Sequence, residues 1–174
     1  MGTNETDYDR LIRPIQDRMV RSIWRILKDP NDAEDALQDA LASIWKRRGR
    51  VRRHPNPQAL ILRMCINAAY DVLRRKAHRP GHQTLDSVEG GVLTGNDAFQ
   101  QEQDGEVRRA VARLPRNQAV AVLMRVVGEE PYDAIAHALG CSEATARTHV
   151  ARARARLRHL LAHLLPGRAQ EATS

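Results

Sequence analysis

The C-terminal third of the chain is dense in arginine, the side chain best suited to bind phosphates and guanine bases. In the stretch CSEATARTHVARARARLRHLL, residues 141–161, arginine alternates with alanine and leucine from Arg152 to Arg158. The fixed fork of N–H donors in a guanidinium can bind a phosphate or the acceptor edge of guanine bidentately. The net charge of +7 also favours a polyanionic partner, most often nucleic acid.

Histidine and cysteine, the other candidates for chemistry, are too scattered to predict a catalytic or metal site. His159 and His163 are spaced i, i+4, but no carboxylate or cysteine joins them in sequence. Cys65 and Cys141 lie far apart and form neither a CxxC pair nor a disulfide framework, so both read as small hydrophobic residues. We therefore expect no catalytic residue, no metal, no cofactor and no small-molecule substrate. On this basis we expect that the protein is not an enzyme.

Strict alternation of arginine would also suit a β-strand with one polar face. The apolar residues of the same segment favour a helix, because they recur at helical spacing and alanine is the strongest helix former. They are Ala146, Val150, Ala153, Leu157, Leu160, Leu161 and Leu164. The segment is predicted to be a long helix with one buried seam and basic flanks.

The residues before this helix match a helix-turn-helix over 132–150. Ala136 is small where a second helix must approach closely, and Gly140 suits a tight turn with positive φ. Ser142 then fits the N-cap of the second helix. An amphipathic hairpin with a solvated basic face is the alternative interpretation.

In a helix-turn-helix, the N-terminal half of the second helix enters the major groove of DNA. The side chains predicted on that surface are Glu143, Ala144, Arg147, Thr148, Ala151 and Arg152. Arg116, just after Pro115, lies at a predicted helix start and is suited to hold a phosphate, as is Arg154.

The first part of the chain reads as about four helices. A helix over 9–27 is followed by Pro30, and the next begins at Asn31 with Glu34 completing a capping box. The polar face of that second helix presents Asp32, Asp35, Gln38 and Asp39. The basic run KRRGRVRRHPNP is predicted as a loop or a frayed helix end, and a last helix runs over 58–76.

Composition divides the chain into two helical domains, at 5–79 and 106–165. Residues 80–105 contain no Lys or Arg and hold five of the ten glycines, as expected of a flexible acidic linker. The fold class is therefore all-α. No apolar run is long enough to span a membrane and no signal peptide is recognisable, so we expect a cytoplasmic protein without membrane insertion.

Taken together, these segments resemble the bacterial RNA polymerase sigma factors of the extracytoplasmic-function (ECF) group. The resemblance is carried by NDAEDALQDALASIW, INAAYDVLRRKAHR and LPRNQAVAVLMRVVGEEPYDAIAHALGCSEATARTHVARARARL, in that order across nearly the whole chain. It implies a region 2 helical bundle, a linker and a region 4 helix-turn-helix. The implied function is a promoter-specificity subunit that binds core polymerase and recognises the −35 and −10 DNA elements.

The resemblance also assigns residues and partners. Asp35, Gln38 and Asp39 match positions that bind the β′ clamp helices, and region 4 is expected on the β flap. The residues expected at the −10 element are Arg52, Arg53, Arg63, Asn67 and Arg74. The residues expected at the −35 element are Glu143, Arg147, Thr148, Ala151 and Arg152 of the helix-turn-helix, together with Arg116 and Arg154. Promoter DNA, core polymerase and an anti-sigma factor are the implied partners.

One departure from the family concerns how the −10 strand is trapped. Relatives usually have an aromatic residue where this chain has Ala59, so trapping must rely on polar and backbone groups of residues 52–58. Asp71, part of the same N…D..R pattern, could instead be structural and pair with an arginine. Two other functions stay open at this point, a stand-alone helix-turn-helix regulator and a nucleic-acid enzyme.

Overall fold

The structure, a computed structural model, describes residues 2–78 and 95–164, with side chains from residues 7 and 100 onwards. These residues form helices joined by short turns, with no strand among them, so the predicted all-α class is confirmed. The helices are α1 (Gly2–Leu11), α2 (Gln16–Leu27), α3 (Pro30–Lys46), α4 (Arg48–Arg52), α5 (Pro57–Ala77), α6 (Gly95–Ala112), α7 (Arg116–Val126), α8 (Tyr132–Leu139) and α9 (Glu143–Leu160). Within the described ranges, none is long and apolar enough to cross a membrane.

The start of α3 differs from the sequence-based expectation. The N-cap is Asp29, whose carboxylate accepts from the backbone N–H of Asp32 at 2.9 Å. Pro30 therefore begins the helix rather than separating two helices, and Asn31 lies inside the first turn. Proline suits the first helical position because its missing N–H has no partner there anyway.

The first predicted helix and the basic run also differ from the sequence-based expectation. The chain over 9–27 is split by a 3₁₀ turn at Arg13–Ile15, since Pro14 cannot donate a helical hydrogen bond. α2 then ends at Lys28, which adopts the left-handed region with φ of 63°. Within the basic run, Arg48–Arg52 form the short helix α4 rather than a loop, with Val51 fully buried.

The long helix α5 is the centre of the fold. It packs against α2 and α3 on one side and against α6, α7 and α8 on the other. Buried residues therefore occur all round it, as expected of a helix enclosed by others. They include Ile61, Leu62, Cys65, Ile66 and Tyr70, each with essentially no exposed surface.

The second domain is built from α7, α8 and α9, with α6 leading into it. The first part of the predicted seam of α9 is confirmed, because Ala146, Val150 and Ala153 are buried and Leu157 is half-buried against the core. The seam does not continue as predicted, because Leu160, Leu161 and Leu164 are only half-buried and the last two lie beyond the end of α9. Residues 95–105, predicted as part of the linker, form the first part of α6. The predicted linker residues 80–94 lie outside the described ranges.

The two domains share one continuous hydrophobic core that passes through α5. The two domains pack tightly at Gly128, just after α7, where an added Cβ would lie 2.8 Å from Leu62 Cδ2 of α5. Only glycine lets this backbone come so near to α5. The described chain is therefore in a closed arrangement, with the second domain packed on the first.

Candidate nucleic-acid interface

The turn between α8 and α9 has the geometry that the sequence predicts for a helix-turn-helix. Gly140 has φ of 68° and its N–H bonds back to carbonyls of α8. Ser142 Oγ accepts from the backbone N–H of Thr145 at 3.1 Å, which satisfies a donor that the helix start leaves open. Ala136 is buried where the helices meet. The predicted motif is confirmed.

The N-terminal half of α9 presents its predicted reading surface to solvent. Glu143, Arg147, Thr148, Ala151 and Arg152 are all exposed, as is Arg154 one turn further along. Arg147 Nε donates to Glu143 Oε1 at 3.2 Å, and the two side chains form an ion pair. The Thr148 hydroxyl donates to the carbonyl of Ala144 at 2.9 Å. The surface combines guanidinium donors with small side chains, which suits base edges.

Arg116, the remaining residue predicted for the −35 element, lies against the first domain in this arrangement. It forms an ion pair with Asp71 and donates to Asn67 Oδ1 at 3.3 Å. The hydrogen bond to Asp71 raises the pKa of the Arg116 guanidinium above its ordinary value. The suggestion that Asp71 pairs with an arginine is therefore confirmed, and the arginine comes from the other domain.

Arg63 of α5 is turned towards the helix-turn-helix. Its Nη1 donates to the carbonyl of Ala138, in the last turn of α8, at 2.6 Å. Burial, followed by the nearby charges of Arg50 and Arg47, lowers the pKa of Arg63. Its Nε is buried and has no hydrogen-bond partner among the described residues. The closed arrangement thus leaves part of this cation unsatisfied.

The other residues predicted for the −10 element are held by short-range or cross-domain contacts. Arg52 pairs with Asp7 at 3.5 Å, and Arg53 Nε donates to the carbonyl of Gly49 at 3.0 Å. Arg74 lies over the Tyr70 ring, 5.9 Å from its centroid, while Asn67 accepts from Arg116 as described above. The structure therefore places these residues along α4, α5 and the intervening loop, but not in a single pocket.

The loop before α5 supplies the polar groups that were expected in place of an aromatic residue. Asn56 caps α5, because its side chain accepts from the N–H of Ala59 at 3.0 Å. His54 Nδ1 lies 2.8 Å from the carbonyl oxygen of Asn56, and His54 Nε2 lies 3.1 Å from the carbonyl oxygen of His137. Ala59 itself is buried. In this arrangement His54 faces α8.

The predicted core-binding residues lie on one exposed face of α3. Asp35, Gln38 and Asp39 are exposed, whereas Ala36 and Ala40, on the opposite side of the helix, are buried in the core. Asp32, one turn earlier, is instead paired with Lys76 of α5. The face is acidic and is open to a partner.

Cys65 and His163 are each held by packing or by an ion pair. Burial raises the pKa of the Cys65 thiol to about 12, so that it stays protonated and unreactive. His163 pairs with Glu106 of α6, a carboxylate close in space but distant in sequence. No cluster of three or more metal-ligating side chains occurs in the described ranges.

Arginines of the first domain bind the C-terminal ends of helices in the second, a feature that the sequence analysis missed. Arg18 Nη2 donates to the carbonyl of Gly128 at 2.9 Å and pairs with the buried Glu130. Arg25 Nη1 donates to the carbonyl of Val127 at 3.2 Å. These cations satisfy carbonyls at the negative end of α7, as Arg63 does at α8. No local sequence signal marks such long-range contacts.

This architecture defines a class of protein, a two-domain helical DNA-binding protein with an exposed acidic face on one domain and a helix-turn-helix on the other. Comparison with family models gives the same division. The model described as Sigma-70 region 2 matches residues 11–79, and the model described as Sigma-70, region 4 matches residues 104–157.

Two relatives are similar over almost the entire chain. The ECF RNA polymerase sigma factor SigM of Mycobacterium tuberculosis is 33% identical over 161 residues, covering 92% of this chain and 80% of the relative. The RNA polymerase sigma-E factor of Streptomyces coelicolor is 32% identical over 170 residues, covering 95% of this chain and 92% of the relative. The chain belongs to the ECF sigma factor family of bacterial RNA polymerase.

A solved structure shares the fold. The sigma factor RpoE from Bartonella quintana, solved in complex with the anti-sigma factor NepR, aligns with a TM-score of 0.54 at 21% identity and covers 90% of this chain and 97% of the other. Family membership makes the protein a promoter-specificity subunit that binds core RNA polymerase and promoter DNA, and not an enzyme. Family membership therefore excludes the two alternative functions, a stand-alone regulator and a nucleic-acid enzyme.

Proposed function

We propose that α9 reads the −35 element with Arg147 and Arg152 as the base-contacting side chains, helped by Glu143, Thr148 and Ala151. The observation that carries this proposal is the exposure of these residues on the face of α9 opposite its buried seam. Guanidinium groups bind the O6 and N7 acceptors of guanine, and small side chains admit the thymine methyl. Arg154 and Arg116 then serve as phosphate contacts that fix the register of the helix.

The first domain carries the other two contacts. Arg52, Arg53, Arg63, Asn67 and Arg74 would contact the −10 element from α4, α5 and the loop between them. The polar side chains of His54 and Asn56 are the groups available to a flipped base, since Ala59 offers no ring. Asp35, Gln38 and Asp39 on α3 would dock on the β′ clamp helices. We keep 5–79, 80–105 and 106–165 as the bounds of region 2, linker and region 4.

The closed arrangement is proposed to be the free state, which core polymerase must open. Arg63, Asn67 and Arg116 each contact the opposite domain, so promoter phosphates must displace these contacts. Phosphates compete well because they satisfy a guanidinium bidentately, whereas Arg63 is left with a buried, unpaired Nε here. On the polymerase, α3 would bind the β′ clamp helices and the second domain would bind the β flap. Because these sites are separate, binding to both would hold the two domains apart.

An anti-sigma factor is proposed as a further partner, because the fold neighbour from Bartonella quintana was solved with one. Such a partner would act by stabilising a closed form or by covering the α3 face. The site of action is proposed to be the cytoplasm, where polymerase and chromosome meet.

Photocrosslinking in the holoenzyme tests the residue assignments directly. A photoreactive amino acid in place of Ala151 should crosslink to the −35 element, and one in place of Arg53 should crosslink to the −10 element. Val107, exposed on α6, is the control position and should give neither product. Crosslinks from Ala151 only outside the −35 element would overturn the assignment of α9.

A further inference from the structure

One aromatic ring connects the three helices of the second domain. Tyr132 is the first residue of α8, and its ring lies 4.3 Å from Arg147 Cζ of α9 and 5.3 Å from Arg125 Cζ of α7. The Arg125 side chain is itself fixed, because its Nη1 donates to the carbonyl of Glu130 at 3.2 Å. Of the two arginines over the ring, Arg147 is the closer, and it is the arginine proposed as a base reader.

Arg147 is therefore restrained from two directions. The Tyr132 ring attracts its guanidinium through the negative face of the π-system, and Glu143 holds it through the Nε hydrogen bond and an ion pair. A guanidinium held over a ring keeps its N–H donors in its own plane, where an acceptor can reach them. A long side chain ordered before binding loses less conformational entropy when it meets a base.

We propose that Tyr132 is a positioning residue for Arg147. It holds the guanidinium over the reading half of α9, so that base preference at the position read by Arg147 depends on a ring that reads no base itself. This inference rests on the proposed role of Arg147 at the −35 element. Tyr132 is suited to it because the ring is half-buried and packs against the core, which restrains its position.

The ring and the hydroxyl of Tyr132 can be tested separately. Tyr132→Phe keeps the ring and removes only the hydroxyl, whereas Tyr132→Leu keeps an apolar side chain of similar packing and removes the π-face. A role in packing alone predicts that both variants preserve base preference as long as the domain folds. The positioning role predicts that only the leucine variant changes it.

The experiment is run-off transcription with core polymerase and the full chain, on promoters carrying each of the four bases at successive −35 positions. Arg147→Ala first identifies the position at which preference flattens. At that position we expect Tyr132→Leu to reduce the preference by about two- to fivefold, the value of an exposed cation–π contact, with normal core binding and thermal unfolding. Tyr132→Phe should keep the wild-type preference.

The double variant separates positioning from packing. In an Arg147→Ala background, Tyr132→Leu should cause no further flattening, because the group it positions is gone. A uniform loss on all promoters, equal in both backgrounds, would overturn the positioning role. If Arg147→Ala flattens the preference and Tyr132→Leu does not, the inference fails while the assignment of Arg147 stands. If Arg147→Ala flattens no position, both fail.

Discussion

Arg116, the first residue of α7, forms an ion pair with Asp71 of α5 and so joins the second domain to the first. The same guanidinium donates to Asn67. Arg116 is the proposed phosphate contact near the −35 element, and Asn67 is a proposed −10 contact. In the closed arrangement, one proposed DNA-binding residue of each domain is therefore engaged with the other domain instead of with DNA. The closed arrangement and the proposed DNA contacts exclude each other at these residues.

The buried hydroxyl of Tyr70 should hold the domains together more strongly than this exposed ion pair. Tyr70 Oη donates to the carbonyl of Leu114, in the second domain, at 2.6 Å. Tyr70→Phe leaves that carbonyl without its donor in the closed form, while water satisfies it in the open form, a difference of about 1–3 kcal/mol. An exposed ion pair contributes at most about 1 kcal/mol, so Asp71→Asn should open the protein less.

Fluorescence energy transfer between dyes on α3 and α9 measures this opening. Tyr8→Phe is the matched control, because Tyr8 Oη donates to Gln16 within the first domain at 3.0 Å. We expect reduced transfer for Tyr70→Phe and wild-type transfer for Tyr8→Phe. Identical transfer in all variants would mean that the Tyr70 hydroxyl does not hold the domains closed.

The two proposed base readers should be separable from the later arginines of α9. Arg147→Ala and Arg152→Ala should each weaken discrimination at the −35 element by about 1–3 kcal/mol, because a bidentate contact to guanine is lost. Arg158→Ala, exposed further along the same helix, is the control and should change transcription little. Core binding should be normal in all three. Unchanged promoter preference in both reader variants would remove these side chains from the −35 contact.

Charge reversal on α3 should reduce binding to core polymerase without affecting the fold. Asp35→Arg combined with Asp39→Arg inverts an exposed acidic face, and like charges juxtaposed in an interface cost several kcal/mol. Competition with a wild-type sigma factor for core enzyme is the measurement, and we expect at least about a tenfold loss. Asp9→Arg with Asp17→Arg makes the same change in net charge on α1 and α2. Equal competition by the two double variants would contradict the assignment of α3.

Two glycines should respond in opposite directions to the same substitution. Gly140 has positive φ with open space around its Cα, so Gly140→Ala costs about 1–2 kcal/mol through backbone strain alone. Gly49 lies inside α4 with only ordinary contacts, so Gly49→Ala should stabilise by about 0.5–1 kcal/mol. Thermal unfolding measures both. A neutral result at Gly140 would show that the turn relaxes to another conformation.

Local signals made the helix-turn-helix and the α3 face predictable. Gly140 and Ser142 act on neighbouring backbone groups, and the apolar periodicity of α9 reports directly on its buried side. The cap of α3 was misplaced because Asp29 and Asn31 are both good N-caps and Pro30 fits either side of a boundary. The cross-domain contacts were not predictable, since an arginine such as Arg116 binds a carboxylate and a phosphate with the same donors.

The most direct test of the central assignment is promoter-specific initiation by core polymerase. Purified chain and core enzyme should be incubated with genomic DNA, and the 5′ ends of the transcripts should be sequenced. We expect a set of start sites, absent with core enzyme alone, that share paired −35 and −10 elements, and loss of that set with the Asp35→Arg, Asp39→Arg variant. Tight binding of promoter DNA by the chain alone, with no new start sites in the presence of core enzyme, would contradict a promoter-specificity subunit.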